Sequence, residues 1–331
     1  MKLYFILLSL IFINLPLICL TSRGDNTLAY QACIEKCYDQ FLCPKIENAY
    51  KWATKDCFEC RYKCIWKVAK LFENEGQQIP QFHGKWPFAS IYFEIPIIKV
   101  FFLIQEPASV LFSIFNLLSC LYLYKYTKEN ISKMEPLRKV WMFYGILGII
   151  TWIFSTIFHS FDTWQTEILD YSGAFAMILY QFYGAVSFQF FETFQQNKSI
   201  RLIWQFISLL ALLFGIDHIY NLFNLRNYGY NMKVCLTISA LTTIIYVYWI
   251  IRTFNTKSYN ILNARQHLIS IILLTGIGVL FEVFDFPPIY NVLDAHSIFH
   301  FFTIPTPILL SRFIFYISEQ SQHKHIYSKY L

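Results

Sequence analysis

Apolar residues run along this chain in long blocks separated by short polar breaks. Seven blocks, near residues 106–125, 140–160, 170–190, 201–219, 232–251, 267–284 and 295–315, approach the ~20 residues that a helix needs to cross a hydrocarbon core. The pattern predicts an all-α polytopic membrane protein, a bundle of seven transmembrane helices. Residues 89–104, ASIYFEIPIIKVFFLI, are apolar but interrupted by Glu94, Pro96 and Lys99. As an eighth span they would reverse every later loop, so an interfacial stretch or an extension of the first span is expected. At the start, MKLYFILLSLIFINLPLICL pairs a basic residue, Lys2, with an apolar stretch, and polar residues follow from Thr21. That is the layout of a secretory signal peptide. The expected organisation is therefore a signal peptide over 1–20, a luminal cysteine-rich domain and junction over 21–88, a seven-helix core over 89–317 and a cytosolic tail over 318–331.

Composition agrees with the pattern. The chain is 56% hydrophobic and only 15% charged, and its mean hydropathy is +0.41, too apolar for a soluble globular protein. The net charge of +6 matters less than its distribution, and with no basic run set in a soluble fold nucleic acid is not an expected partner. Lys125, Lys128, Lys133, Arg138 and Lys139 follow the first span, Lys198 and Arg201 the third, and Arg252, Lys257 and Arg265 the fifth. The tail adds Lys324 and Lys329. The loops after the second and sixth spans carry none, and only Arg226 and Lys233, around the fourth, break the contrast. The positive-inside rule puts the basic loops and the C-terminus in the cytosol and the N-terminus in the lumen. Two glycosylation patterns, at Asn130 and Asn197, then fall on the cytosolic side and are expected to be unused.

Six of nine cysteines cluster at Cys33, Cys37, Cys43, Cys57, Cys60 and Cys64. After a signal peptide, an even cluster implies disulfides in an oxidising compartment, with fifteen possible connectivities. The spacings Cys57-x2-Cys60 and Cys60-x3-Cys64 also fit zinc, the rival reading. Cys120 and Cys235 lie within apolar blocks and read as packing residues.

The candidate chemistry lies at the ends of the spans. Ser155-x3-His159 closes the second block, Asp170 opens the third, and Asp294-x-His296-x3-His300 begins the last. Ionisable groups at membrane depth are expensive and are functional candidates by default. The charge-derived topology sends His159, Asp162, Asp170, His218, Asp285, Asp294, His296 and His300 to the luminal face. Residues four apart share a helix face, so His296 and His300 have the spacing that offers two imidazoles to one metal, with His159 as a third. Asp162 and Asp294 are candidates to orient those imidazoles, although Asp294 equally suits a helix cap and Asp162 a turn.

These residues resemble a known family. His159-Ser160-Phe161-Asp162-Thr163, then Thr166-Glu167-x2-Asp170-Tyr171, is similar to the H-x-x-D-T-x-x-T-E-x-x-D-Y signature of the Per-one-like lipid-remodelling factors. Pro80 to Phe88 (PQFHGKWPF), Gln105 to Ser109, Tyr228 to Asn231, Asp285 to Pro288, Leu293 to His296, His300 and Thr303 to Pro305 also resemble that family, as does the cysteine cluster ending at Trp66. The aromatic before the last histidine, Trp in the family, is Phe299 here. The resemblance implies a Zn2+ ion held by His159, His296 and His300, with Ser155 and Asp170 beside the water it activates. It implies a phospholipase A2-type hydrolase removing the sn-2 acyl chain of GPI-anchored proteins, with membrane lipids as surroundings, in the ER or Golgi. A non-catalytic receptor-like protein and a ceramidase-type amidase are the competing readings.

Overall fold

The computed structural model describes residues 22–46, 49–97, 99–225 and 228–329; the expected signal peptide and Arg226 lie outside them. Two helices lead, α1 (Leu28–Phe41) and α2 (Lys55–Asn74), joined through a short 3-10 turn at Tyr50–Ala53. Thr27 caps α1, its hydroxyl accepting from the Tyr30 amide, which satisfies one of the amides left open at a helix start. All six clustered cysteines are oxidised, as Cys33–Cys64, Cys37–Cys60 and Cys43–Cys57. With every sulfur in a disulfide, the rival zinc reading of the cluster does not hold. The bridges, with Tyr30, Ile34, Trp52, Val68 and Phe82, form a small separate core.

Residues 89–104 do not lengthen the first span. They fold as an antiparallel hairpin of β1 (Ile91–Ile95) and β2 (Val100–Ile104). Alternation along the strands sends Tyr92 and Phe101 to one face, where they meet Phe58 of α2. Ile91, Phe93, Val100 and Phe102 stay exposed on the other. The β-branched and aromatic content favours strands, and Pro96, which breaks a helix, sits in the turn.

The remaining helices are α3 (Pro107–Asn130), α4 (Arg138–Ser160), α5 (Trp164–Gln189), the short α6 (Phe191–Gln196), α7 (Lys198–Leu225), α8 (Tyr228–Arg252), α9 (Tyr259–Val283), α10 (Ala295–Thr303) and α11 (Thr306–Lys329). Among the described residues, six spans are long and apolar enough to cross a membrane: α3, α4, α7, α8, α9, and α10 with α11 taken together. The other long helix, α5, has 26 residues but is diluted by Glu167, Asp170, Gln181 and several tyrosines. Its start also differs from expectation. A capping box between Thr163 and Thr166 sets the first turn at Trp164, so Asp170 lies inside the helix rather than opening it. The last span breaks at Ile304-Pro305, because proline cannot donate to the preceding turn.

Packing follows the order α3–α4–α5–α8–α9–α11 and returns to α3, while α7 leans on α5 from outside. Trp141, Tyr144, Tyr246, Trp249, Leu268 and Phe313 fill the half of the bundle away from the cysteine-rich domain. The other half is polar inside. Ser109, Ser113 and Asn116 of α3 are buried there with Ser155, His159 and His300. Gly173 lets α5 approach α4 closely: a Cβ there would stand 3.3 Å from Thr151 Cα, and Thr151 Oγ1 donates to the Gly173 carbonyl at 3.0 Å.

Candidate metal centre

Two helices bring the three histidines together. His159 is in the last turn of α4, and His296 and His300 lie on one face of α10. One ligand atom from each lies within 4.8 Å of those of the other two. Ring centroids are 5.1 Å apart for His159 to either partner and 4.5 Å for His296 to His300. His159 and His300 are 1% and 3% exposed, whereas the His296 side chain is 34% exposed. The cluster is closed on the bundle side and open at His296.

Each imidazole is held by its other nitrogen. His159 Nδ1 lies 2.6 Å from Glu106 Oε2, and His296 Nδ1 lies 2.7 Å from Glu282 Oε2. His300 Nδ1 is 3.1 Å from Ser113 Oγ, which is 3.1 Å from Ser155 Oγ. Asn116 Nδ2 donates to the His300 carbonyl at 2.8 Å, pinning α10 to α3. Tyr228 donates its hydroxyl hydrogen to the second oxygen of Glu282 at 2.9 Å. A carboxylate on the far nitrogen fixes the tautomer and turns the near nitrogen inward, as around bound zinc. The Nε2 atom of His159 is buried with no hydrogen-bond partner among the described residues. An unmet buried nitrogen beside two others is what a ligand set requires, so these residues fit a metal ion.

Asp170, on α5, is buried and close enough to Ser155, His159 and His296 to interact with each. Sequence reasoning therefore placed the histidines, Ser155 and Asp170 in one neighbourhood, and the structure brings them together. It differs on the orienting carboxylates. Asp294 caps α10 instead, accepting from the Ser297 amide at 2.9 Å, and its capping box uses the carboxylate to satisfy the helix start. Asp162 pairs with Lys85 at 3.1 Å. The imidazole partners are Glu106 and Glu282, which sequence reasoning missed. Glu106 stood in a quoted motif, Gln105-Glu106-Pro107, as the last residue before a span, and Glu282 as the only acid inside the sixth block.

Lys85 links the domain to this centre, donating to Glu106 Oε1 at 2.6 Å and resting 4.2 Å above the Phe158 ring. Burial pushes the Glu106 carboxyl up, but Lys85 and His159 outweigh it and hold the group well below the ordinary carboxylate range. Burial pulls the Lys85 ammonium down, yet Asp162 and Glu106 raise it above its ordinary value. Of the other histidines, His218 is buried beside Asn231, 3.0 Å from its Oδ1, and stacks on Phe175. Its sequence neighbour Asp217 accepts from Asn221 Nδ2 at 2.9 Å. His83 lies 2.7 Å from the Tyr30 hydroxyl, and His267 stacks on Tyr316.

Residues 47–316 match the Per1-like family. The chain is similar to the mouse (Mus musculus) protein named GPI-specific phospholipase A2-like PGAP3, 30% identical over 88% of each chain. It is 29% identical to the human (Homo sapiens) protein of the same name over 92% of each chain. The fruit fly (Drosophila melanogaster) protein named Post-GPI attachment to proteins factor 3 is 28% identical, covering 87% of this chain and 86% of its own. No solved structure matches.

Proposed function

Because the chain belongs to the Per1-like family, we propose that it remodels the lipid of GPI-anchored proteins in the secretory pathway. The reaction is hydrolysis of the sn-2 acyl ester, with zinc held by His159, His296 and His300. The relatives' names supply the lipid and the reaction class. The observation that carries the metal is the pair of imidazoles, each fixed by a glutamate on one nitrogen and facing the cluster with the other.

A zinc ion there supplies Lewis acidity to the ester carbonyl and lowers the pKa of attacking water towards ~7. The protein's own groups do the rest. Asp170 accepts the proton of the water and passes it to the departing glycerol oxygen. Ser155, held by Ser113, donates to the oxygen on which negative charge develops. The open side at His296 is where the ester enters. The domains follow the same reading: a signal peptide over 1–20, a luminal cap over 21–88, a hydrolytic core over 89–317 and a cytosolic tail over 318–331. Three disulfides support a luminal cap and an ER or Golgi membrane, and the basic loops at the opposite end of the bundle support a cytosolic C-terminus.

The test is release of fatty acid from a GPI lipid by the purified, zinc-loaded protein. Release that disappears in Asp170→Asn, with bound zinc unchanged, is the expected result. A zinc-loaded wild type that releases nothing removes the hydrolase reading.

A further inference from the structure

A cleft lies between α2 and the end of the bundle that carries the histidines. Its cavity volume is about 80 Å³ beneath an open mouth, and its walls include Arg61, Tyr62, Trp66, Trp86, Glu106 and Asp162. Glu106 is shared with the metal centre, since its other oxygen holds His159. A molecule in the cleft therefore sits one side chain away from the histidines.

Two groups in this cleft lack what their chemistry demands. Arg61 is only 9% exposed. Its guanidinium stacks 5.0 Å from the Trp52 ring but donates no hydrogen bond among the described residues. A largely buried arginine whose guanidinium bonds no described residue suits an oxyanion such as phosphate, two of whose oxygens can accept from it side by side. Opposite in character is Asp162. Its Oδ2 is taken by Lys85 at 3.1 Å, while its Oδ1 is buried and accepts nothing among the described residues. A lone carboxylate acceptor calls for a hydroxyl donor. Around both stand aromatic rings, with Tyr62 stacked on Phe58 and edge-on to Trp66, surfaces suited to the C–H faces of a cyclic polyol. Lys85 pairs with both Glu106 and Asp162, which leaves Arg61 as the cation of the cleft without an acidic partner among the described residues.

We propose that this cleft is the headgroup subsite and takes an inositol phosphate, the phosphate on Arg61 and a ring hydroxyl on Asp162. The inference rests on the proposed remodelling function and names what that function recognises outside the membrane. The headgroup in the cleft would leave the acyl ester of the same lipid at the histidines.

The experiment uses the full chain in phosphatidylcholine nanodiscs, titrated with myo-inositol 1-phosphate and followed by tryptophan fluorescence. Binding is expected, with myo-inositol and inorganic phosphate each at least about tenfold weaker, because each fills one of the two unmet groups. Arg61→Gln should weaken the inositol phosphate by about tenfold or more and leave inositol unchanged, with Arg61→Lys partly restoring binding. Asp162→Asn should weaken inositol phosphate without changing inorganic phosphate, and it carries the test if Arg61→Gln fails to fold. Phosphatidylinositol in the nanodisc should compete with the soluble probe. Failure to compete would overturn the lipid source, and absence of binding by wild type, or binding indifferent to both variants, would overturn the subsite. Fatty acid release without inositol phosphate binding removes this inference alone, whereas binding without release removes the hydrolase reading alone.

Discussion

The two glutamates on the imidazoles are the residues most worth changing. Outer carboxylates of this kind commonly contribute about 10–100-fold to metal affinity. Glu106→Gln and Glu282→Gln should each weaken zinc by about that factor, read by competition with a chromophoric chelator, while the fold persists. Equal affinity in both variants would detach the glutamates from the metal. Asp294→Asn, by contrast, should leave zinc affinity unchanged, because Asp294 caps α10. The histidines were legible in the sequence because i and i+4 on a helix share a face regardless of the tertiary fold. Their partners were not. Glu106 and His159 are 53 residues apart, and only the return of the chain at Glu106 N to the His159 carbonyl, 3.0 Å, brings them together. Asp162, three residues after His159, drew attention that belonged to a residue distant in sequence.

Among the elements, the approach of α4 and α5 decides where Asp170 sits relative to Ser155. Gly173 is one turn beyond Asp170, and its contact with Thr151 is already close. Gly173→Val should force the helices apart, lowering stability by about 1–3 kcal/mol and cutting fatty acid release by more than the loss of folded protein. Thermal unfolding and specific activity together check this, and an unaltered activity per folded molecule would separate the helix spacing from the chemistry. Hydropathy located the long helices of the bundle, since lipid and protein interior both demand apolar surface, although α9 begins ahead of its block at Tyr259 and α11 runs on to Lys329. It misjudged the start of α5, which a capping box sets at Trp164, because a cap is a local hydrogen bond that a running average cannot register. It also passed over the hairpin at 91–104, whose apolar residues alternate about a turn at Pro96 and carry no helical period.

At the scale of the whole molecule, the cysteine-rich domain and the bundle meet through charge. Lys85 joins Glu106 and Asp162, while Trp86 and Gln81 hold Asp285 at 2.9 Å and 2.8 Å. With its ammonium pKa raised above the unfolded value, Lys85 contributes stability that is complete below about pH 10.5 and lost only as pH rises through the higher folded value. Lys85→Met should therefore lower stability by on the order of 2–3 kcal/mol, less than a fully buried pair because the side chain is 30% exposed. The loss should be flat from about pH 6 to pH 9 in denaturant titrations, and a loss that varied across that window would place the stabilisation elsewhere. The three bridges inside the domain are nested, closing 14, 23 and 31 residues from the inside out. Cys43 and Cys57 close the shortest gap, 14 residues. That closure leaves Cys60 only a few residues to travel to Cys37, and Cys64 likewise to Cys33, since the cost of joining two ends grows with the free chain between them. The least costly order of closure therefore runs from the inner bridge outward, and losing Cys43–Cys57 would lengthen the gap left for both of the others.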